Sequence, residues 1–185
     1  MQIDKHIPEQ LAQAPCPLIV DEIHAVGITT RKRSGEIAEA TFLAKASGLG
    51  FGVARPWGDS ERYDFILDSG YDLWRVQLKS TVRLAESRYQ VKAGGCSAVY
   101  TRSDIDFLVA YIIPENLWYV VPIAAFASRK GLGFYPYGEG KHEFEKYRGA
   151  WCQMACQRPD GLSPILVHCG CETVRTGKGI CPFCG

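Results

Sequence analysis

Arg62-Tyr63-Asp64-Phe65-Ile66-Leu67 and Leu73-Trp74-Arg75-Val76-Gln77-Leu78-Lys79 are two runs of alternating character, separated by the turn-forming cluster Asp68-Ser69-Gly70-Tyr71-Asp72. This pattern predicts a β-hairpin. Alternate residues of a strand share a face, so Phe65, Leu67, Val76 and Leu78 form an apolar side and leave Asp64, Gln77 and Lys79 on the polar one. If Asp68 pairs with Leu73, Asp64 falls opposite Gln77 and Arg62 opposite Lys79. A carboxylate, a carboxamide and an ammonium then gather within one or two residue steps.

Upstream, residues 31–46 are rich in Ala, Leu, Glu and Lys and run into the breaker Gly48-Leu49-Gly50, which predicts one helix. The expected buried stripe is Ile37, Ala40, Leu43 and Ala44. Glu36 stands one helical turn before Ala40 and borders this stripe; Glu39 lies beside it too, and position alone does not separate the two glutamates. A carboxylate held against a packed face calls for a cation or an ammonium near it.

Further period-two runs predict strands over 51–56, 89–93, 107–113 and 118–122, with Pro114-Glu115-Asn116 turning a second hairpin and a short helix over 122–130. A mainly antiparallel or mixed sheet follows. Ile19, Ile23 and Val26 hint at a leader helix before Gly27. The expected organisation is an N-terminal extension over 1–30, one α/β domain over 31–151, and a Cys-rich tail over 152–185.

The chain has 185 residues, of which 46% are hydrophobic and 22% charged, enough apolar surface for one packed domain and too much for a disordered chain. No apolar run approaches the ~20 residues of a membrane span, and the first residues lack the order of a secretion signal, so a cytoplasmic location with no membrane partner is expected. A net charge of +1 excludes a histone-like polycation. Between Arg31 and Arg102, however, twelve basic residues face eight acidic ones, a local balance of +4 that suits a polyanionic partner. Arg31-Lys32-Arg33 is the densest cluster.

Lys32-Arg33-Ser34-Gly35-Glu36-Ile37-Ala38-Glu39-Ala40, Gly50-Phe51, Pro56-Trp57-Gly58-Asp59, Arg62-Tyr63-Asp64, Val76-Gln77-Leu78-Lys79-Ser80 and Asp104-Ile105-Asp106-Phe107, continuing through Val121-Pro122, occur in that order over residues 31–151. This ordered set resembles the PD-(D/E)XK nuclease superfamily, in the branch of group I intron-associated homing endonucleases. The resemblance implies an α/β, restriction-endonuclease-like core with a central mixed sheet flanked by helices, and a metal-dependent DNA endonuclease that hydrolyses phosphodiester bonds. It implies catalytic roles for Glu36, Asp64, Gln77 and Lys79. Asp64 and Glu36 would hold Mg²⁺, an ion that takes oxygen ligands and keeps several waters, while Lys79 would position and polarise the attacking water. The superfamily pattern has an acid where Gln77 stands, which removes one negative charge and favours a single ion; the intron-associated branch also has Gln there. Double-stranded DNA is the implied partner, with Arg31, Lys32, Arg33 and Arg62 as expected backbone contacts.

The competing reading is a DNA-binding protein that keeps the fold without cutting. Cutting both strands takes two hydrolyses and the chain holds one such residue set, so a homodimer is expected, or a homotetramer as in the dimer-of-dimers homing enzymes it resembles. At the C-terminal end, Cys169, Cys171, Cys181 and Cys184 have a spacing that can give four thiolates to a structural Zn²⁺, against the alternative of free thiols. Cys16, Cys96, Cys152 and Cys156 read as packing residues.

Overall fold

A computed structural model describes residues 30–94, 98–138 and 142–155. The first element is helix α1, Arg31–Gly48, capped by Thr30, whose side-chain oxygen accepts a hydrogen bond from the Arg33 backbone N–H at 3.1 Å. It buries Ser34, Ala38, Phe42 and Ala46, one row at four-residue spacing. Three small residues let the helix lie close to the sheet. Between them Phe42, fully buried, meets Phe65 with ring centres 4.6 Å apart, Trp151 at 5.9 Å and Trp118 at 6.2 Å. Truncating Phe42 to Ala would cost about 3–5 kcal/mol.

The expected stripe of Ile37, Ala40, Leu43 and Ala44 is therefore wrong by part of a turn. Ala40, Leu43 and Ala44 are exposed and Ile37 is half-buried. Small and apolar residues lie all around this helix, so their spacing does not select a face; the aromatic side chain that fits between the sheet's own rings does.

Eight strands follow: β1 Gly52–Ala54, β2 Phe65–Asp68, β3 Leu73–Thr81, β4 Leu84–Ala85, β5 Arg88–Lys92, β6 Phe107–Ile112, β7 Leu117–Pro122 and β8 Gly131–Phe134. They form a five-stranded mixed sheet in the order β1-β2-β3-β6-β7 and a three-stranded sheet in the order β4-β5-β8. The β2–β3 hairpin has the expected register, Asp68 opposite Leu73 and Phe65 opposite Val76. Its turn is tied by Asp68, whose Oδ1 accepts from the Gly70 N–H at 2.7 Å, and by the positive φ of 83° that Gly70 adopts. The second hairpin pairs β6 with β7 through a 3₁₀ turn, Ile113–Glu115, and Asn116 in the left-handed region. The helix expected over 122–130 is a single 3₁₀ turn, Ile123–Ala125.

The one parallel pairing among the described residues, β3 with β6, places Gln77 beside Leu108 and Lys79 beside Ala110 at the centre of the sheet. A parallel pair needs a long crossover. Here residues 82–106 supply it, and β4 and β5 within it join β8 to form the smaller sheet. Two cores result. Phe65, Leu67, Val76, Leu78, Phe107 and Val109 pack with α1, whereas Leu108, Ala110, Ile112, Tyr119 and Val121 pack with Tyr89, Val91, Leu132 and Phe134 of the smaller sheet. The order of layers is α1, large sheet, small sheet.

Packing continues past Trp151 into helix α2, Cys152–Ala155, where Cys152 and Met154 are buried. Trp74 donates its indole N–H to the Met154 carbonyl at 2.8 Å, and the Gln153 amide donates to the Val120 carbonyl at 2.9 Å. The core thus extends beyond the expected boundary at Trp151. Cys152 is a packing residue; Cys16, Cys96, Cys156, the leader segment and the four thiols at Cys169, Cys171, Cys181 and Cys184 lie outside the described residues. No helix among the described residues is long and apolar enough to cross a membrane.

Candidate active site

Asp64 sits one residue before β2, where its backbone N–H donates to the Val76 carbonyl at 2.9 Å and so extends the hairpin by one position. That bond aims the side chain at β3. Its Oδ2 accepts the Leu78 backbone N–H at 2.8 Å and a second, shorter bond from the Gln77 side-chain amide. Among the described residues Oδ1 accepts no hydrogen bond, which leaves half of a fixed carboxylate open to a ligand. Burial pushes the Asp64 carboxyl above the ordinary carboxylate range, opposed by the Leu78 N–H and the Lys79 charge and reinforced by Glu39.

Gln77 is buried on the central strand and is held by its bond to Asp64. Lys79, two residues on and on the same face, is half-buried and rests its ammonium over the Tyr100 ring, 5.9 Å from the ring centre. No ion pair joins it to Asp64 among the described residues, yet its charge lowers the Asp64 carboxyl. The three residues that the hairpin register puts together are therefore together.

The helix contribution differs from expectation. Glu36 has a side chain 50% exposed and pairs with Arg33, on its own helix, at 3.5 Å. Glu39, with 37% exposure, turns toward the sheet, pairs with Arg55 at 3.0 Å, and is the carboxylate whose charge reaches Asp64. Arg55 in turn lies over the Phe65 ring at 5.3 Å. A packed row on Phe42 in place of Leu43 rotates the helix enough to exchange the two glutamates.

Arg62 is engaged on the protein itself. Its guanidinium pairs with Asp104 at 2.9 Å, donates to the carbonyls of Ala98 and Val99 at 3.2 Å each, and lies over the Tyr100 ring, 5.2 Å from its centre. Arg75 is clamped in the same way by Asp106, at 3.0 Å, and by the carbonyls of Arg102 and Ser103. Thr101 holds Asp104 with both its backbone N–H and its hydroxyl, at 2.8 Å each, and these bonds with Arg62 keep the Asp104 carboxyl below its usual range. Two aspartates of one loop thus lock the hairpin against β6. The Thr101-x-x-Asp104 spacing is the local signal that could have disclosed this turn. Of the basic cluster, Arg31, Lys32 and Arg33 are all exposed at the start of α1.

Among the described residues no group of three or more His, Cys, Asp or Glu is assembled as a metal cage. Asp64, Glu39 and the Gln77 amide instead offer a small set of hard oxygen donors, which is the chemistry of an ion that keeps most of its waters.

Residues 29–132 match the family model of the PD-(D/E)XK endonucleases. The structure is similar to that of a bacterial homing endonuclease, I-Ssp6803I, with 29% sequence identity, a TM-score of 0.57, and coverage of 68% of this chain and 91% of that one. No protein of curated function matches the chain significantly.

Proposed function

We propose, from the fact that the chain belongs to the PD-(D/E)XK endonuclease family, that it is a Mg²⁺-dependent endonuclease of homing type that hydrolyses phosphodiester bonds in duplex DNA. The observation that carries this reading is Asp64. A carboxylate partly withdrawn from water, fixed on one oxygen by two donors and open on the other, flanked by Glu39 and Lys79, is an arrangement suited to chemistry and poorly suited to stability.

Asp64 and Glu39 would hold the ion, with the Gln77 amide oxygen as a further neutral donor. This fits the donor set, because Mg²⁺ is commonly held by one or two carboxylates and completes its shell with water and substrate phosphate. When bound, the ion acts as a Lewis acid on the scissile phosphate and lowers the pKa of the attacking water. The chain's own residues supply the rest. The Leu78 N–H and the Gln77 amide keep the Asp64 carboxylate in one orientation, so no reorganisation is needed at the moment of reaction. Lys79, held between Tyr100 and the site, orients the attacking water and opposes the charge that grows on the phosphate oxygens. Gln77 in place of an acid limits the negative charge and favours one ion per site.

Double-strand cutting from one such site per chain calls for two chains, so the working form is a homodimer or homotetramer. Trp118, Tyr119 and Phe134 are buried in the protomer, whereas Tyr137 is 66% exposed and remains available to an interface. Incubation of supercoiled plasmid with Mg²⁺ tests the activity: the wild type linearises it, and Lys79→Ala binds DNA without cutting. Wild-type protein that binds DNA and leaves the plasmid intact at every divalent ion concentration would overturn the reading in favour of a non-cutting binder. Light scattering across micromolar concentrations tests the assembly, and a monomer that cuts both strands at first order in protein would refute it.

A further inference from the structure

A groove outside the site just described begins at the end of β3 and runs over the small sheet. Thr81, in its wall, stands two residues beyond Lys79 and on the same face of the strand, about 7 Å along it. From there the groove is lined by Arg31 at the head of α1, Arg83 in the loop before β4, Arg88 and Lys92 on β5, and Lys130 just before β8. Five cations face one carboxylate, Glu86, which lies 3.6 Å from Arg88. The groove therefore carries +4 in a chain whose total is +1, and everything outside it sums to −3.

Two features identify what this charge is for. Arg88 and Lys92 point outward from the core-facing residues Tyr89 and Val91, and four residues of strand set them about 13 Å apart, in line and with no focal point. A small anion would call for convergent donors; a row suits an extended polyanion. Finally, the first turn of α1 is Arg31-Lys32-Arg33 with no acidic residue, cations placed where the helix dipole disfavours them. A local conflict of this kind is relieved by negative charge from outside the chain.

We propose that this groove seats the sugar-phosphate backbone of duplex DNA next to the bond that is cut, with Arg83, Arg88, Lys92 and Lys130 as phosphate contacts. The choice of DNA rests on the nuclease reading; the polyanion row does not. Each phosphate neutralised adds about 0.9 to the slope of log affinity against log salt. Lys92→Ala/Lys130→Ala, both at exposed positions, should lower that slope by about 2, so between about 50 and 200 mM salt the wild type loses roughly tenfold more affinity than the variant.

The test is anisotropy of a labelled duplex of arbitrary sequence, in EDTA to prevent cutting, with Lys92→Arg/Lys130→Arg and the off-groove pair Lys45→Ala/Lys146→Ala alongside. The expected result is a shallower slope for the groove alanines, and a wild-type slope for both other variants. An unchanged slope for the groove alanines, or an equal fall for the off-groove pair, overturns the proposal. A wild type that fails to bind the duplex overturns it together with the nuclease reading. Groove-dependent binding by a wild type that does not cut plasmid in Mg²⁺ supports the groove and overturns only the nuclease reading.

Discussion

Glu36→Gln and Glu39→Gln, two changes three residues apart on one helix, should have opposite consequences. The Glu36 carboxylate is half-exposed and, among the described residues, pairs only with Arg33 at 3.5 Å, itself 67% exposed, so this is a surface pair worth at most about 0.5 kcal/mol. Its loss should leave cleavage at the wild-type rate. Glu39 is directed to the sheet, braced by Arg55 at 3.0 Å, and its charge adds to the burial that raises the Asp64 carboxyl. Groups that merely support a metal ligand cost 10–100-fold in affinity or activity when changed, so a ligand itself should cost about 100-fold or more in cleavage rate. That corresponds to about 2.7 kcal/mol of transition-state stabilisation. Initial rates of plasmid nicking at saturating Mg²⁺, with thermal melts to verify folding, measure both. Equal losses from the two variants, or wild-type cutting by Glu39→Gln, would refute the placement of Glu39 in the site.

Asp64→Asn should abolish cutting and raise the melting temperature of the metal-free protein at neutral pH, because burial lifts the folded pKa and the charged form carries a penalty above it. That gain should shrink as pH falls toward the ordinary carboxylate pKa of about 4, where the wild type is protonated as well; a gain that grows on acidification would contradict it. Asp104→Asn should act in the other direction, since Thr101 and Arg62 hold the carboxyl low and its stabilisation, complete above about pH 4, is lost as pH falls through the lowered value. Urea melts should show the variant weaker at pH 7 and less acid-sensitive; identical pH profiles would remove the clamp. Truncation after Trp151 discards buried Met154 and the acceptor of the Trp74 indole, so it should be less stable than truncation after Ala155 by about 2–5 kcal/mol; equal urea midpoints for the two would show that α2 adds nothing to the core.

The hairpin was legible because every interaction that sets it is local. Alternation assigned the faces, Asp68-Ser69-Gly70-Tyr71-Asp72 set the turn, and the register then brought Asp64 to Gln77 without further information. The helix face was not legible, since Ala40 and Leu43 carry as much apolar signal as Ala38 and Phe42, and only the rings of Phe65, Trp118 and Trp151 from distant strands decide between them. The same limit hid Arg55 beside Glu39 and Asp106 beside Arg75, contacts between segments that neither spacing nor periodicity relates. Strand β8, Gly131–Phe134, is half glycine and carries no strand propensity; it exists because Tyr89 and Val91 of β5 present a partner.

The places where local preference is violated differ in sign. At Asp64 a carboxylate is withdrawn from water with too little positive charge to compensate, and a cation would relieve it. Along Arg31, Arg83, Lys92 and Lys130 positive charge accumulates with only Glu86 to offset it, and a polyanion would relieve that. Lys79 and Thr81, neighbours on one face of β3, join the two regions. A duplex laid in the groove would bring phosphate oxygens beside Asp64, where a bound ion would offset their repulsion of the carboxylate and take them as ligands, so each ligand lessens the cost of binding the other. Metal and DNA should therefore bind cooperatively. Mg²⁺ affinity measured with a duplex made uncleavable at its phosphates should be tighter than with protein alone, and the difference should fall when Lys92 and Lys130 are replaced by Ala; equal Mg²⁺ affinities with and without duplex would mean that the two regions act independently.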